Sequence, residues 1–316
     1  MQTGGNANGG ALAATQCGVW AENSLFKGNW TTSTEASPSG ARRGAAVEAA
    51  KYSVFANCVF DGNGSGHRAL LNGGNPVRVT GCVFRNNTSD SLVGDGNTAE
   101  SLVESCVFTN NACTSAVYAG MRLRNCLYAD NAMPLNLDGS VFENVTVVSN
   151  RCPGVYLNAT AAFTLANCIV AYNQGGDISN SRGNDNFRWL KTISAETLPT
   201  YATLMNSCVQ GASALKFDDG TPFDLLGRDA DGKSIDKKPR FVDPKRGDWR
   251  LKRRSPCRDT GKALDWMTAD ATDLAGNPRV VGRGGKPLAE DAAALPDMGC
   301  FECLENAELG LLILLK

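Results

Sequence analysis

The stretch Gly81-Cys82-Val83-Phe84-Arg85-Asn86-Asn87 returns 24 residues later as Ser105-Cys106-Val107-Phe108-Thr109-Asn110-Asn111. The shared phrase is an opening Asn, Ser or Gly, then usually Cys, two apolar residues, two small or polar residues and a closing Asn. Seven copies open at residues 23, 57, 81, 105, 125, 144 and 167, with steps of 19 to 34 residues. Repeats of this period build solenoids, because one unit cannot bury its own apolar face and has to stack on a neighbour.

Each copy alternates in hydrophobicity as a half-buried strand does. In the fourth copy Val103, Cys106 and Phe108 are predicted to point inward, which requires a bend at the opening residue between two short strands. No helical crossover separates the strands. We therefore predict an all-β fold, a right-handed parallel β-helix (solenoid) of about nine or ten coils with a C-terminal capping module.

Two columns of the repeat are predicted to stack up the axis as ladders. The closing Asn suits a turn and can bond to its equivalents above and below. Cysteines at one repeat position lie about 4.8 Å apart with parallel Cβ vectors, a poor disulfide geometry, so we predict free buried thiols. The ladder residues are Asn63, Asn87, Asn111, Asn131, Asn150, Asn173, Cys58, Cys82, Cys106, Cys126 and Cys168.

An apolar column is predicted to face outward, because it lies between two inward positions. It consists of Val59, Val83, Val107, Leu127, Thr146 and Ile169. An exposed apolar stripe needs a cover. The apolar tail Gly310–Leu315 or a protein partner could supply it, and ordinary surface packing is the alternative.

Composition narrows the possible functions. The 316 residues carry a formal net charge of −1, which argues against nucleic acid as a partner. The longest apolar run, Leu309 to Leu315, is too short to span a membrane. Residues 2–5 lack the basic and apolar segments of a signal peptide, so we interpret the chain as processed or trimmed.

The chain changes character towards its C-terminus. We predict β-helix coils over 1–210, a loop-rich connection over 211–240 and a capping module over 241–316 packed on the β-helix. The last part contains Phe241-Val242-Asp243-Pro244, Gly247-Asp248-Trp249-Arg250-Leu251, Ser255-Pro256-Cys257, Asp273-Leu274-Ala275-Gly276-Asn277-Pro278-Arg279 and Asp297-Met298-Gly299-Cys300-Phe301-Glu302.

These phrases resemble the C-terminal module of bacterial surface-associated right-handed β-helix proteins. These proteins belong to the pectate-lyase-like superfamily, whose members include choice-of-anchor and polymorphic outer-membrane types. The resemblance covers about residues 239–303 and implies an extracellular or cell-surface location. In this module the Asp residues and Arg279 are expected to form turns and ion pairs that close the open end of the solenoid. A cysteine after Ser-Pro and another after Asp-Met-Gly suggest a Cys257–Cys300 disulfide.

The superfamily holds lyases, hydrolases, adhesins and spacers, so the resemblance implies no single activity. One candidate ligand face is the outward set Arg78, Glu104, Arg122, Arg124 and Glu143, whose arginines suit uronate carboxylates. A solvated strand face is the alternative. Asp229, Asp231 and Asp236 form a weak calcium candidate that lacks the closing Glu of a calcium loop, and a turn is the alternative.

We predict a glycan- or partner-binding, adhesin-like protein with no evident catalytic constellation and no resident cofactor beyond the weak calcium candidate. A polysaccharide lyase or glycoside hydrolase acting on acidic polysaccharide is the first alternative. A structural spacer is the second.

Overall fold

The protein is a parallel β-helix, which confirms the predicted fold class. The computed structural model describes residues 10–14, 16–31, 46–49, 51–65, 69–72, 76–89, 91–94, 100–113, 115–117, 119–158, 161–175, 181–279 and 295–303. Within these residues the strands stack into parallel sheets, and the only α-helix is the four-residue Leu198–Tyr201. Short 3-10 helices cover Ala212–Ala214, Leu226–Arg228 and Pro244–Arg246.

Two long walls flank the opening position of the repeat, each with eight strands in the described residues. Sheet 1, which precedes that position, comprises Trp20–Glu22, Ser53–Ala56, Val77–Thr80, Leu102–Glu104, Arg122–Arg124, Val141–Glu143, Phe163–Ala166 and Ala202–Met205. Sheet 2, which follows it, comprises Leu25–Lys27, Val59–Asp61, Val83–Arg85, Val107–Thr109, Leu127–Ala129, Thr146–Val148, Ile169–Ala171 and Cys208–Val209.

The third wall contains two shorter sheets. Sheet 3 comprises Leu12–Ala14, Val47–Ala49, Ala69–Asn72, Ser91–Gly94 and Ser115–Val117. Sheet 4 comprises Leu135–Asn136, Val155–Leu157 and Phe187–Leu190, with Ser181–Gly183 antiparallel at its edge. Trp30–Thr31 pairs with Gly64–Ser65. Isolated bridges at Asp229 and Ile235 add a partial ninth rung above sheets 1 and 2.

The core forms because equivalent residues lie directly above one another. Phe60 pairs with Phe84 and Phe84 with Phe108, and their ring centroids are 4.7 and 4.9 Å apart in stacked geometry. The five ladder cysteines are buried and free, as predicted. The closing asparagines form the predicted ladder, with side-chain amide to side-chain carbonyl distances of 2.8–3.2 Å from Asn63 to Asn173.

The bend at the opening position is a left-handed residue. Asn57, Ser105 and Asn125 have φ of 52°, 52° and 55° there, a region that Asn and Gly tolerate best. A second left-handed residue immediately precedes each closing Asn, for example Asn86 at 57° and Asn110 at 52°. The closing Asn therefore has an ordinary backbone, and its neighbour makes the turn.

Residues 211–225 close the C-terminal end of the solenoid, although the sequence suggested a loop-rich connection over 211–240. The strands Leu215–Lys216 and Pro222–Phe223 form an antiparallel hairpin. Phe217 and Phe223 pack edge-on against the buried Trp189, with centroids 5.4 and 5.8 Å away. These two rings cover the end of the core, where another coil would otherwise stack.

The C-terminal module, here residues 241–279 and 295–303, lies on the side of the solenoid. This corrects the expectation that it closes the open end. It begins with a hairpin of Phe241–Asp243 and Asp248–Leu251. Its core of Phe241, Trp249, Met298 and Phe301 packs on the outer face of sheet 2.

Candidate functional site: a cleft between sheet 2 and the C-terminal module

A cleft of about 420 Å³ lies where the module ends and sheet 2 becomes uncovered. The outward column predicted from the sequence forms its floor. Leu127 is buried under the edge of the module, whereas Val83 and Val107 are only half-buried. Farther along the column, Thr146 and Ile169 are fully covered by the module. The predicted tail Gly310–Leu315 lies outside the described residues.

Polar side chains at the left-handed turn positions form one rim of the cleft. The Asn110 amide donates to the Asn86 side-chain oxygen at 2.8 Å, and the Asn86 amide donates to Asp61 at 3.0 Å. Arg85 is paired with the same Asp61 at 3.2 Å. The hydrogen bond from Asn86 is the main reason why the pKa of Asp61 lies below its usual value, with help from Arg85. The rim is thus held in place by its own contacts.

The opposite wall is the tip of the module's first hairpin. Arg246, Gly247, Asp248 and Trp249 line the cleft there. Trp249 is buried against Phe241 with the rings perpendicular and 5.3 Å apart, so it stiffens the wall. Gly247 turns the chain with φ of 75°, and the Arg246 side chain is 86% exposed at the mouth.

Asp248 is ionised and fixed in this wall. Partial burial opposes its ionisation, but the hydrogen bonds from Arg250, one of them 2.6 Å long, outweigh that cost and hold the pKa of Asp248 below its usual value. Asp130 lies on the floor side of the same cleft. The charged lining residues are therefore Arg85, Arg246, Asp130 and Asp248, with a formal sum of zero.

The five residues proposed as a ligand face on sheet 1 do come together, as one ion-pair network. Arg124 is central, 3.3 Å from Glu104 and 3.1 Å from Glu143. Arg78 joins Glu104 at 3.9 Å, and Arg122 joins Glu143 at 3.6 Å. Trp266 of the module covers the Arg124 guanidinium, 4.8 Å from the ring centroid. Arg124 thus binds the module to sheet 1, and only Arg78 and Arg122 remain substantially exposed.

The three weak calcium candidates serve separate structural contacts. Asp229 accepts backbone hydrogen bonds from Asn206 and Ser234 at 2.9 and 2.7 Å. Asp236 accepts the Gly211 amide at 2.7 Å, and Asp231 pairs with Lys262 at 2.8 Å. No group of three or more metal-binding side chains occurs in the described ranges. The arrangement therefore fits the alternative interpretation, a turn.

The suggested Cys257–Cys300 disulfide is not present in the structure, where Cys208, Cys257 and Cys300 are all free thiols. The Cys300 amide donates to Thr146 at 3.0 Å, which places Cys300 over that strand of sheet 2. Cys257 lies beside Cys208, two strands farther along the same sheet. Neighbouring strands are about 4.8 Å apart, so this arrangement favours Cys208 over Cys300 as the nearer thiol to Cys257.

Sequence reasoning identified the floor of the cleft but not its wall. The outward stripe was visible as a column, whereas the Gly247-Asp248-Trp249 phrase suggested only a turn. Among the helices described, none has the length and apolar character needed to cross a membrane. No protein-family model and no curated protein matches this chain.

Proposed function

We propose that this chain is an extracellular or cell-surface binding protein that holds a glycan in the cleft between sheet 2 and the C-terminal module. The observation that carries the proposal is the combination of an apolar floor with a fixed amide rim. A sugar ring has an apolar face of C–H groups and an edge of hydroxyls. The floor of Val83 and Val107 suits the face, and the amides of Asn86 and Asn110 can both donate to and accept from hydroxyls.

The charge balance favours a neutral glycan. Two arginines and two aspartates line the cleft, so it lacks the excess of positive charge that would concentrate a polyuronate. The outer face of sheet 2 continues beyond the cleft through the half-buried Val59 to the exposed Leu25. Since rungs are spaced by about 4.8 Å, a polymer can follow the axis from the cleft onto this face.

The enzymatic alternative has weaker support from the cleft. A glycoside hydrolase needs a carboxylic acid with a raised pKa as its proton donor. Of the two carboxylates in the cleft, Asp248 has a lowered pKa because Arg250 binds it. Asp248 is therefore unsuited to act as that proton donor. The protein-partner and spacer alternatives remain as outcomes of the experiment below.

The experiment measures binding of the full chain to immobilised neutral and uronate-containing polysaccharides, while soluble products and unsaturated uronates are followed in parallel. We expect saturable binding to a neutral polymer without product release. Product release would show an enzyme and overturn the proposal. If the chain binds none of the polymers, the proposal is equally overturned, and a protein partner or a spacer role remains.

A matched pair of substitutions tests the location of the site. Thr109 lines the cleft and Thr203 is exposed on the outer face of sheet 1. Thr109→Trp fills the cleft and should weaken binding at least tenfold, or by about 1.4 kcal/mol, whereas Thr203→Trp should leave it unchanged. Equal affinities of the two variants would place the ligand elsewhere.

A further inference from the structure

We propose that Cys208 and Cys257 form a disulfide that fastens the C-terminal module to the last complete rung of sheet 2. This inference is independent of the ligand proposed above. Cys208 belongs to the outward column of sheet 2, where it pairs with Ile169 of the preceding strand. Cys257 belongs to the module. Both residues are fully buried in the interface between the two parts.

The two side chains are neighbours in this interface. The Cys208 thiol donates to the Lys237 carbonyl at 3.1 Å, and the Cys257 side chain lies beside the Cys208 sulfur. An apolar shell that includes Phe241 and Met298 surrounds the pair.

The backbone on both sides is fixed by other contacts. The Cys208 amide donates to the Cys168 carbonyl at 2.8 Å. The Cys257 carbonyl accepts from the Met298 amide at 2.9 Å, and the Cys257 amide donates to the Ser255 hydroxyl at 3.2 Å. Each half-cystine is therefore positioned by its own element, so bridge formation needs little rearrangement.

The other buried thiols lie in a different environment. On the inner face of the solenoid, successive ladder cysteines are joined through their backbone amides: the Cys58 amide donates to the Cys82 sulfur at 3.3 Å, and the Cys82 amide to the Cys106 sulfur at 3.4 Å. The Cys106 thiol donates to the Glu104 carbonyl at 3.2 Å. These thiols satisfy the backbone of the corner, with parallel side chains in successive coils. The pair of Cys208 and Cys257 instead joins side chains that approach from opposite sides.

The reaction requires a disulfide oxidant, such as oxidised glutathione or a thiol–disulfide oxidoreductase. The Cys257 thiolate attacks one sulfur of the oxidant, which forms a mixed disulfide and expels the oxidant's other sulfur as a thiolate. The Cys208 thiolate then attacks the Cys257 sulfur and expels the second thiolate of the oxidant. The two cysteine protons end on these two thiolates, and the two electrons given up by the cysteines reduce the oxidant to two thiols. Since the hydrogen bond with Cys208 and then burial raise the pKa of Cys257, the bond should form before or while the module docks.

The experiment uses the full chain, folded in a glutathione redox buffer. The protein is then denatured in the presence of a thiol-alkylating reagent, which blocks the free cysteines, and digested without reduction. Mass spectrometry should find the peptides of Cys208 and Cys257 joined and lighter by two hydrogen atoms, with the ladder cysteines alkylated. Alkylation of both residues in correctly folded protein, or linkage of Cys257 to Cys300, would overturn the proposal.

A second measurement uses Cys257→Ser and Cys300→Ser. The bridge joins residues 49 positions apart in the sequence, so reduction of the oxidised wild type should lower Tm by roughly 5 °C or more. Cys300→Ser should show the same fall on reduction, and Cys257→Ser should show none. A fall of equal size in Cys257→Ser would rule out this bridge as its source.

Discussion

Asn111 illustrates how a single side chain serves three coils at once. Its oxygen accepts from the backbone and side-chain amides of Asn87, at 3.0 Å each. Its own amide donates to the Phe84 carbonyl at 2.9 Å and to Asn131 at 2.9 Å. Because the residue is fully buried, water cannot replace these partners.

Asn111→Ala should therefore lower the free energy of unfolding by about 2–3 kcal/mol, since it leaves buried donors and acceptors without partners. The exposed Asn158 provides the control, and Asn158→Ala should change stability by less than about 0.5 kcal/mol. Urea unfolding of the two variants checks the difference. Similar midpoints for both would mean that the ladder does not stabilise the solenoid.

The position before the closing Asn requires a residue that tolerates a left-handed backbone. Gly62 has φ of 64° at this position, and a Cβ built there meets no atom within 4 Å. Gly62→Ala should thus cost about 1 kcal/mol through left-handed strain. Gly62→Asn should recover most of that loss, since Asn86 and Asn110 occupy the same position in the next coils. Thermal unfolding of both variants checks the order, and an alanine variant as stable as the asparagine variant would contradict it.

At the scale of elements, the corner asparagines of the later coils hold the C-terminal module. Asn125 donates to the Thr272 carbonyl at 3.1 Å, Asn167 to the Lys262 carbonyl at 2.7 Å and Asn206 to the Thr260 carbonyl at 2.9 Å. Asn144 reaches the carbonyls of Asp297 and Gly299 at 3.2 Å each. One column of the repeat therefore both bends the coil and attaches the module.

Gly299 of the module lies close against sheet 2. A Cβ there would lie 2.5 Å from the Thr146 hydroxyl oxygen and 2.8 Å from an Ile169 side-chain carbon. Gly276, in the same module, has nearly the same φ, 85° against 86°, but open space around it. Gly299→Ala should thus lose about 1–3 kcal/mol more than Gly276→Ala through the clash.

Hydrogen exchange provides the measurement for this pair. Amides of Ile169–Ala171 should exchange faster in Gly299→Ala because the module covers their strand, and should stay protected in Gly276→Ala. Unchanged protection in both variants would show that the module tolerates the displacement.

How much of the fold and of the cleft can be predicted from the sequence depends on how far apart in the chain the contacting residues are. Phe84 and Asn111 were placed correctly because each repeats its own environment in the next coil. The position of the module was not predictable in this way, since Asn144 and Asp297 are 153 residues apart and Asp297 lies outside the repeat. The same distinction applies to the cleft. Val83 and Val107, on its floor, belong to the repeat and were predicted to face outward. Asp248 and Trp249, on its wall, belong to the module and approach the floor only through tertiary packing. For the same reason the proximity of Cys208 to Cys257 was not predicted.

At the scale of the whole molecule, the module contains a buried charge cluster beneath its surface. Arg279 pairs with Glu302 at 3.1 Å, and both are buried with Asp297. Burial raises the pKa of Asp297 to about 7, although its oxygens accept the amides of Asp259 and Cys303. Burial also raises the pKa of Glu302, with Arg279 opposing the effect.

This cluster predicts a stability that falls as pH rises. Between the ordinary value of 3.8 and about 7, the folded Asp297 retains a proton that the unfolded chain has lost. The folded state binds more protons there, so the free energy of unfolding decreases with increasing pH across this window. Asp297→Asn should flatten the pH dependence of the free energy of unfolding between pH 5 and 8. The control Asp270→Asn, at an exposed position, should not. Glu302, whose pKa burial also raises, supplies the part of the fall that remains in Asp297→Asn. Thermal unfolding across this range checks the slope, and a fall as steep in Asp297→Asn as in the wild type would contradict the assignment.

The lateral attachment of the module also bears on how the molecule responds to force. The described rungs that precede residue 100 are held mainly by neighbouring strands, so tension along the axis should peel them off in succession. The rungs that carry Asn125, Asn144, Asn167 and Asn206 are tied side by side to a single body. A stretched molecule should therefore unravel as far as the edge of the cleft and stop there.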